Sequence, residues 1–77
     1  MNVNRRKWLE RIVEELTAQK EELESVRDEE QEAYDNLPEG IQYSERGETM
    51  QENADELDSI LTDLENVIDS INEIIEK

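Results

Sequence analysis

The 77-residue chain has no cysteine, no histidine and no phenylalanine, a single proline and two glycines. Without cysteine there is no disulfide, no thiolate nucleophile and no zinc–sulfur site. Without histidine the commonest metal ligand and general base is missing. So little proline and glycine, with one Trp and two Tyr as the only aromatics, argues against a turn-rich sheet and for long helices. Basic residues are also scarce, at 8 Lys and Arg against 23 Asp and Glu, for a net charge of −15. A surface that tracks phosphates needs the opposite sign, so direct nucleic-acid binding is not expected. No apolar run approaches the ~20 residues of a membrane span, and no signal peptide is visible. The expectation is a soluble cytoplasmic protein with no cofactor, no metal and no enzymatic activity.

What the chain does have is periodicity. Met50, Ala54, Leu57, Leu61, Leu64, Ile68, Ile71 and Ile75 follow one another at alternating steps of four and three, which keeps one helix face turned toward a partner helix. A second series, Leu9, Ile12, Leu16, Gln19, Leu23, Val26, Glu30, Ala33 and Leu37, repeats the pattern with polar interruptions at Gln19 and Glu30. Between them lies Leu37-Pro38-Glu39-Gly40-Ile41-Gln42-Tyr43. Proline disfavours helical geometry in the residue before it, and Gly40 permits a left-handed turn. Asn2 or Asn4 can cap the first helix and Ser44 the second, with Glu45 and Glu48 in its first turn where the dipole favours acids. The reading is a single all-α hairpin, helix 4–36, turn 37–43 and helix 44–76, each helix about 50 Å long.

So short a link favours antiparallel neighbours. Pairing residues whose numbers sum to 80 sets Leu16 beside Leu64, Leu23 beside Leu57 and Ala33 beside Gly47, so that each member of one series meets a member of the other. Lys20 and Arg27 then pair with Asp58 and Glu65. Glu30 calls for Arg27 or Arg46 as a partner. Trp8, Ile60, Val67 and Ile74 form an apolar strip that one partner helix leaves uncovered. Two occupants fit it: a second hairpin, giving a homodimeric four-helix bundle, or a foreign protein with Trp8 as a hot spot.

Charge is unevenly distributed. Residues 1–11 carry Arg5, Arg6, Lys7 and Arg11 against Glu10, for +3, which leaves −18 over residues 12–77. The basic cluster is expected near Asp69, Glu73, Glu76 and the carbonyl end of the second helix, which offset it. The acidic face comprises Glu21, Glu22, Glu24, Asp28, Glu29, Glu32 and Asp35 on the first helix, and Glu48, Glu52, Asp55 and Glu56 on the second. Such a run can be a solvated face that keeps a coiled coil soluble. It can also be a negative array that occupies a nucleic-acid groove on another protein. Asp55-Glu56-Leu57-Asp58 lacks the glycine and spacing of a calcium loop.

The stretch from Asp28 to Glu39, with Ser44-Glu45-Arg46-Gly47-Glu48 after it, resembles small acidic helical proteins encoded by phages and prophages of Gram-positive bacteria. The similarity covers the turn and its flanks, about a third of the chain. It implies a setting in which short acidic proteins block host nucleases or transcription machinery. The functional expectation is therefore a phage-type inhibitor, an acidic DNA mimic that binds a basic nucleic-acid-binding surface of a host protein. Anti-restriction and anti-CRISPR roles fall within it. The competing expectation is an oligomerisation or assembly module whose acidity serves only solubility.

Overall fold

The computed structural model describes residues 1–77 as a rod of 59 × 15 × 13 Å. Helix α1 runs Val3–Asp35, a one-turn helix α2 runs Glu39–Gln42, and helix α3 runs Glu45–Glu76. Asn2 caps α1 by accepting from Arg5 N–H at 2.8 Å, and Ser44 caps α3 by accepting from Gly47 N–H at 3.4 Å. These side chains satisfy amide groups that a helix start otherwise leaves without partners.

The link is tighter than expected. It is not an open turn: Ile41 and Gln42 N–H both donate to the Pro38 carbonyl, at 2.8 and 3.1 Å. Gly40 is not left-handed, since no residue has positive φ. The glycine that matters is Gly47, which is buried. A Cβ there would run into the Ile41 and Gln42 carbonyls, so the chain folds back across the first turn of α3 only because that position is bare. Ala33, expected opposite Gly47, is exposed.

Helix α3 buries the face its sequence announces. Gly47, Ala54, Leu61 and Ile68 are buried at seven-residue intervals, and Met50, Leu57, Leu64 and Ile71 beside them are half-buried. Helix α1 is turned relative to expectation. Leu9, Leu16, Leu23, Glu30 and Leu37 are half-buried, but the row that joins them inward is Val13, Lys20, Arg27 and Tyr34; Gln19, Val26 and Ala33 are exposed. Adjacent residues differ by about 100° around a helix, so moving one row by one position rotates the buried face by about 50°.

The register moves with it. Contacts across the two long helices join Arg27 to Asp58, Lys20 to Glu65 and Glu30 to Asn53. The higher-numbered partner falls as the lower-numbered one rises, so the helices are antiparallel. The paired numbers sum to 85, 85 and 83 rather than 80. A sum of 84 fits all three and sets Leu16 level with Ile68, Leu23 with Leu61, Glu30 with Ala54 and Leu37 with Gly47. Each of these four half-buried α1 residues then faces one of the four buried α3 positions. The shift is about one helical turn. Lys20 and Arg27, the two cations in the buried row, lie along the seam with their stems covered and their charged ends reaching acids at its edge.

Candidate functional site

Two flanks run along the seam, and they differ in kind. On α3, Asp58 and Glu65 each follow a half-buried leucine by one position, whereas Ile60, Val67 and Ile74 each precede a seam residue by one. The two sets therefore lie on opposite sides of the buried stripe. On α1, Ile12, Gln19, Val26 and Ala33 likewise precede the row Val13, Lys20, Arg27 and Tyr34. Antiparallel packing of two right-handed helices places the two preceding sets on the same side. The sequence-derived strip of Trp8, Ile60, Val67 and Ile74 is thus joined by Val26 and Ile12 along one apolar flank. Trp8 is 59% exposed, Val26 51%, Val67 49%, Ile60 48% and Ile74 43%. Val26 was legible only as a core residue, because it fitted the wrong seam.

The opposite flank is ionic. Arg27 Nη1 donates to Asp58 Oδ1 at 2.9 Å, while its Nε and Nη2 donate to Asp28 Oδ1 at 3.1 and 3.0 Å. Those hydrogen bonds, first to Asp58 and then to Asp28, raise the Arg27 pKa above its ordinary value. Lys20 Nζ sits 3.7 Å from Glu24 and 3.9 Å from Glu65. On the apolar side, Glu30 accepts from the exposed Asn53 Nδ2 at 3.3 Å, so an amide, not Arg27 or Arg46, meets this carboxylate at the edge of the seam. Arg5, Arg6, Lys7 and Arg11, expected near Asp69, Glu73 and Glu76, make no ion pair with any of them. In the observed register Arg5 and Arg6 lie past the last residue of α3, Glu76, while Arg11 is level with Glu73.

Apart from the half-buried Glu30, the remaining carboxylates point to water. Only Glu24, Asp28, Asp58 and Glu65 have a cation within 4.0 Å, which leaves 19 of the 23 acids without one. Glu21, Glu22, Glu29, Glu32, Glu48, Glu52 and Glu56 are all exposed. Asp35 and Asp55, also exposed, accept from Gln31 and Gln51 one turn earlier, at 3.0 and 3.1 Å. No group of three or more acids converges on a point that could hold a metal ion. The acidic set is spread along the rod rather than gathered into a site. No helix is long and apolar enough to cross a membrane.

Two shallow hollows mark the surface, both on the apolar flank. One of about 320 Å³ is lined by Met1, Arg5, Trp8, Leu9 and Ile12; the other, of about 250 Å³, by Val26, Glu29 and Glu30. Neither gathers an acid–base pair or a nucleophile with a neighbouring base. The arrangement is one of surfaces: a long anionic exterior and one apolar edge. No protein-family model, curated protein or solved structure matches the chain.

Proposed function

We propose that the chain is a non-enzymatic inhibitor of the phage type, whose acidic rod occupies a basic, nucleic-acid-binding surface of a host protein. The observation that carries this reading is linear charge density. A net charge of −15 along 59 Å is one charge per about 4 Å, against about 3.4 Å for a single nucleic-acid strand and about 1.7 Å for a duplex. With 19 carboxylates lacking a cation, that charge is offered outward on a stiff support. A cleft built to hold a phosphate backbone attracts such a rod by the same long-range field.

The test is capture from host lysate at low and at raised salt, with and without duplex DNA as competitor. Retained proteins should be basic nucleic-acid binders, released by DNA and by salt. Joint replacement of Glu21, Glu32, Glu48 and Glu52, exposed acids away from the apolar flank and without a cation within 4.0 Å, by their amides should weaken retention. Binding that survives both salt and neutralisation would overturn the reading. The apolar flank supports a second reading, an oligomerisation or assembly module whose acids serve solubility; there the neutralised variant keeps its activity.

A further inference from the structure

We infer that the apolar flank receives a second copy of this chain, docked head to tail. In that arrangement Trp8 and Arg5 of each copy meet Val26, Glu29 and Glu30 of the other. The inference stands on the flank alone and holds whether or not the acidic rod has a host target.

Position comes first. The two hollows lie on the same flank, one around Trp8 and one around Val26. Eighteen residues of one helix separate these side chains, about 27 Å at 1.5 Å per residue. The midpoint falls at the level of Thr17 on α1 and, in the observed register, of Val67 on α3, with Gln19 two residues further on. A twofold axis through that point carries each hollow onto the other, and it carries Ile60 onto the level of Ile74. A closed twofold contact requires such a self-complementary patch.

Charge then fixes the direction. The Trp8 hollow is rimmed by Arg5, which belongs to the basic first turns of α1, and the Val26 hollow by Glu29 and Glu30. Head to tail, each arginine faces carboxylates. Head to head, arginine faces arginine and Glu29 faces Glu29, so like charges oppose one another along the contact. Core size supplies the need: the lone hairpin buries only Ala54, Leu61 and Ile68 among its apolar residues, far less than a stable four-helix core contains. A second copy covers Trp8, Val26, Ile60, Val67 and Ile74 at once. It also lays two anionic rods side by side, which raises the charge per unit length toward that of a duplex.

The chain has no cysteine, so single introduced thiols report position cleanly. Sedimentation equilibrium of the unmodified protein at micromolar concentration should give twice the chain mass. With a short bis-maleimide linker, Val67→Cys should form covalent dimer several-fold more efficiently than Ile60→Cys or Ile74→Cys alone, because it lies nearest the axis. Ile60→Cys mixed with Ile74→Cys should link to each other. Circular dichroism on each variant verifies that helix content is kept. A monomer throughout the micromolar range would overturn the inference, and so would equal self-linking at all three positions, the mark of a head-to-head pair.

Discussion

Arg27 and Asp58 stand 31 positions apart and meet at 2.9 Å across the two long helices. This pair, with Lys20 and Glu65, locates one helix against the other. If it sets the register, reversing a single charge should weaken the hairpin and reversing both should restore it. Arg27→Asp and Asp58→Arg should each lower the midpoint of thermal unfolding, and the double variant should recover most of the loss. Equal losses that simply add would show that the two side chains are not coupled.

Two alanines separate the observed packing from the one the heptads suggest. Ala33 and Ala54 both fall on seam positions in the sequence, yet Ala54 is 1% exposed and Ala33 is on the surface. Enlarging a buried side chain in a packed interface costs about 1–3 kcal/mol, whereas a surface change stays within about 0.5 kcal/mol. Urea unfolding should therefore find Ala54→Leu destabilised and Ala33→Leu near neutral. Comparable losses at both would return Ala33 to the seam.

Those alanines also show what could be read from residues alone. Helix α3 was legible because only one face of it carries an unbroken apolar series. On α1 the row Leu9, Leu16, Leu23 and Leu37 belongs to either of two seams. Hydropathy favours completing it with Ile12, Gln19, Val26 and Ala33 over Val13, Lys20, Arg27 and Tyr34. The structure takes the second set, because Lys20 and Arg27 have long apolar stems and find Glu65, Asp58 and Asp28 at the seam's edge. The first set, exposed except for the half-buried Ile12, is left to widen the apolar flank. Periodicity along one helix cannot weigh contacts that exist only across two, so the same ambiguity hid the register and the Glu30–Asn53 contact. The acidic exterior needed no register and was legible outright.

Gly47 reverses the usual order of glycine and alanine in a helix. Ordinarily alanine is better than glycine inside a helix by about 1 kcal/mol, and an exposed glycine there would gain from the change. Here the added carbon meets the backbone oxygens of Ile41 and Gln42, which cannot swing aside like a flexible side chain. Gly47→Ala should lose about 1–3 kcal/mol net, while Gly40→Ala, with open space around it, should not destabilise. Amide exchange across residues 38–47 should quicken in the first variant only.

The two caps should behave differently despite similar chemistry. Ser44 accepts from Gly47 N–H and donates to the Ile41 carbonyl, so it ties the start of α3 to the link. Asn2 accepts from Arg5 N–H in the part of α1 that projects past the last residue of α3, where fraying is local. Ser44→Ala should cost about 0.5–2 kcal/mol of global stability. Asn2→Ala should instead loosen only the first turn of α1, seen as faster amide exchange near Arg5 with the unfolding midpoint nearly unchanged.

Salt should stabilise this fold. Added ions weaken attractions and repulsions alike, so the outcome depends on which are more numerous. Four close ion pairs, shared between Lys20 and Arg27, favour the folded state, while 19 acids without a cation are held along one narrow rod. Screening shortens the reach of a charge from about 30 Å at 0.01 M to about 10 Å at 0.1 M. Over that interval repulsion between successive turns and across the rod fades, while contacts near 3 Å are weakened much less. The unfolding midpoint should therefore rise as sodium chloride is added from about 0.01 to 0.1 M, and the rise should shrink when Glu21, Glu32, Glu48 and Glu52 become amides. A midpoint that falls with salt would mean that the few ion pairs outweigh the anionic exterior, and would remove the stored repulsion from any account of how the rod meets a basic surface.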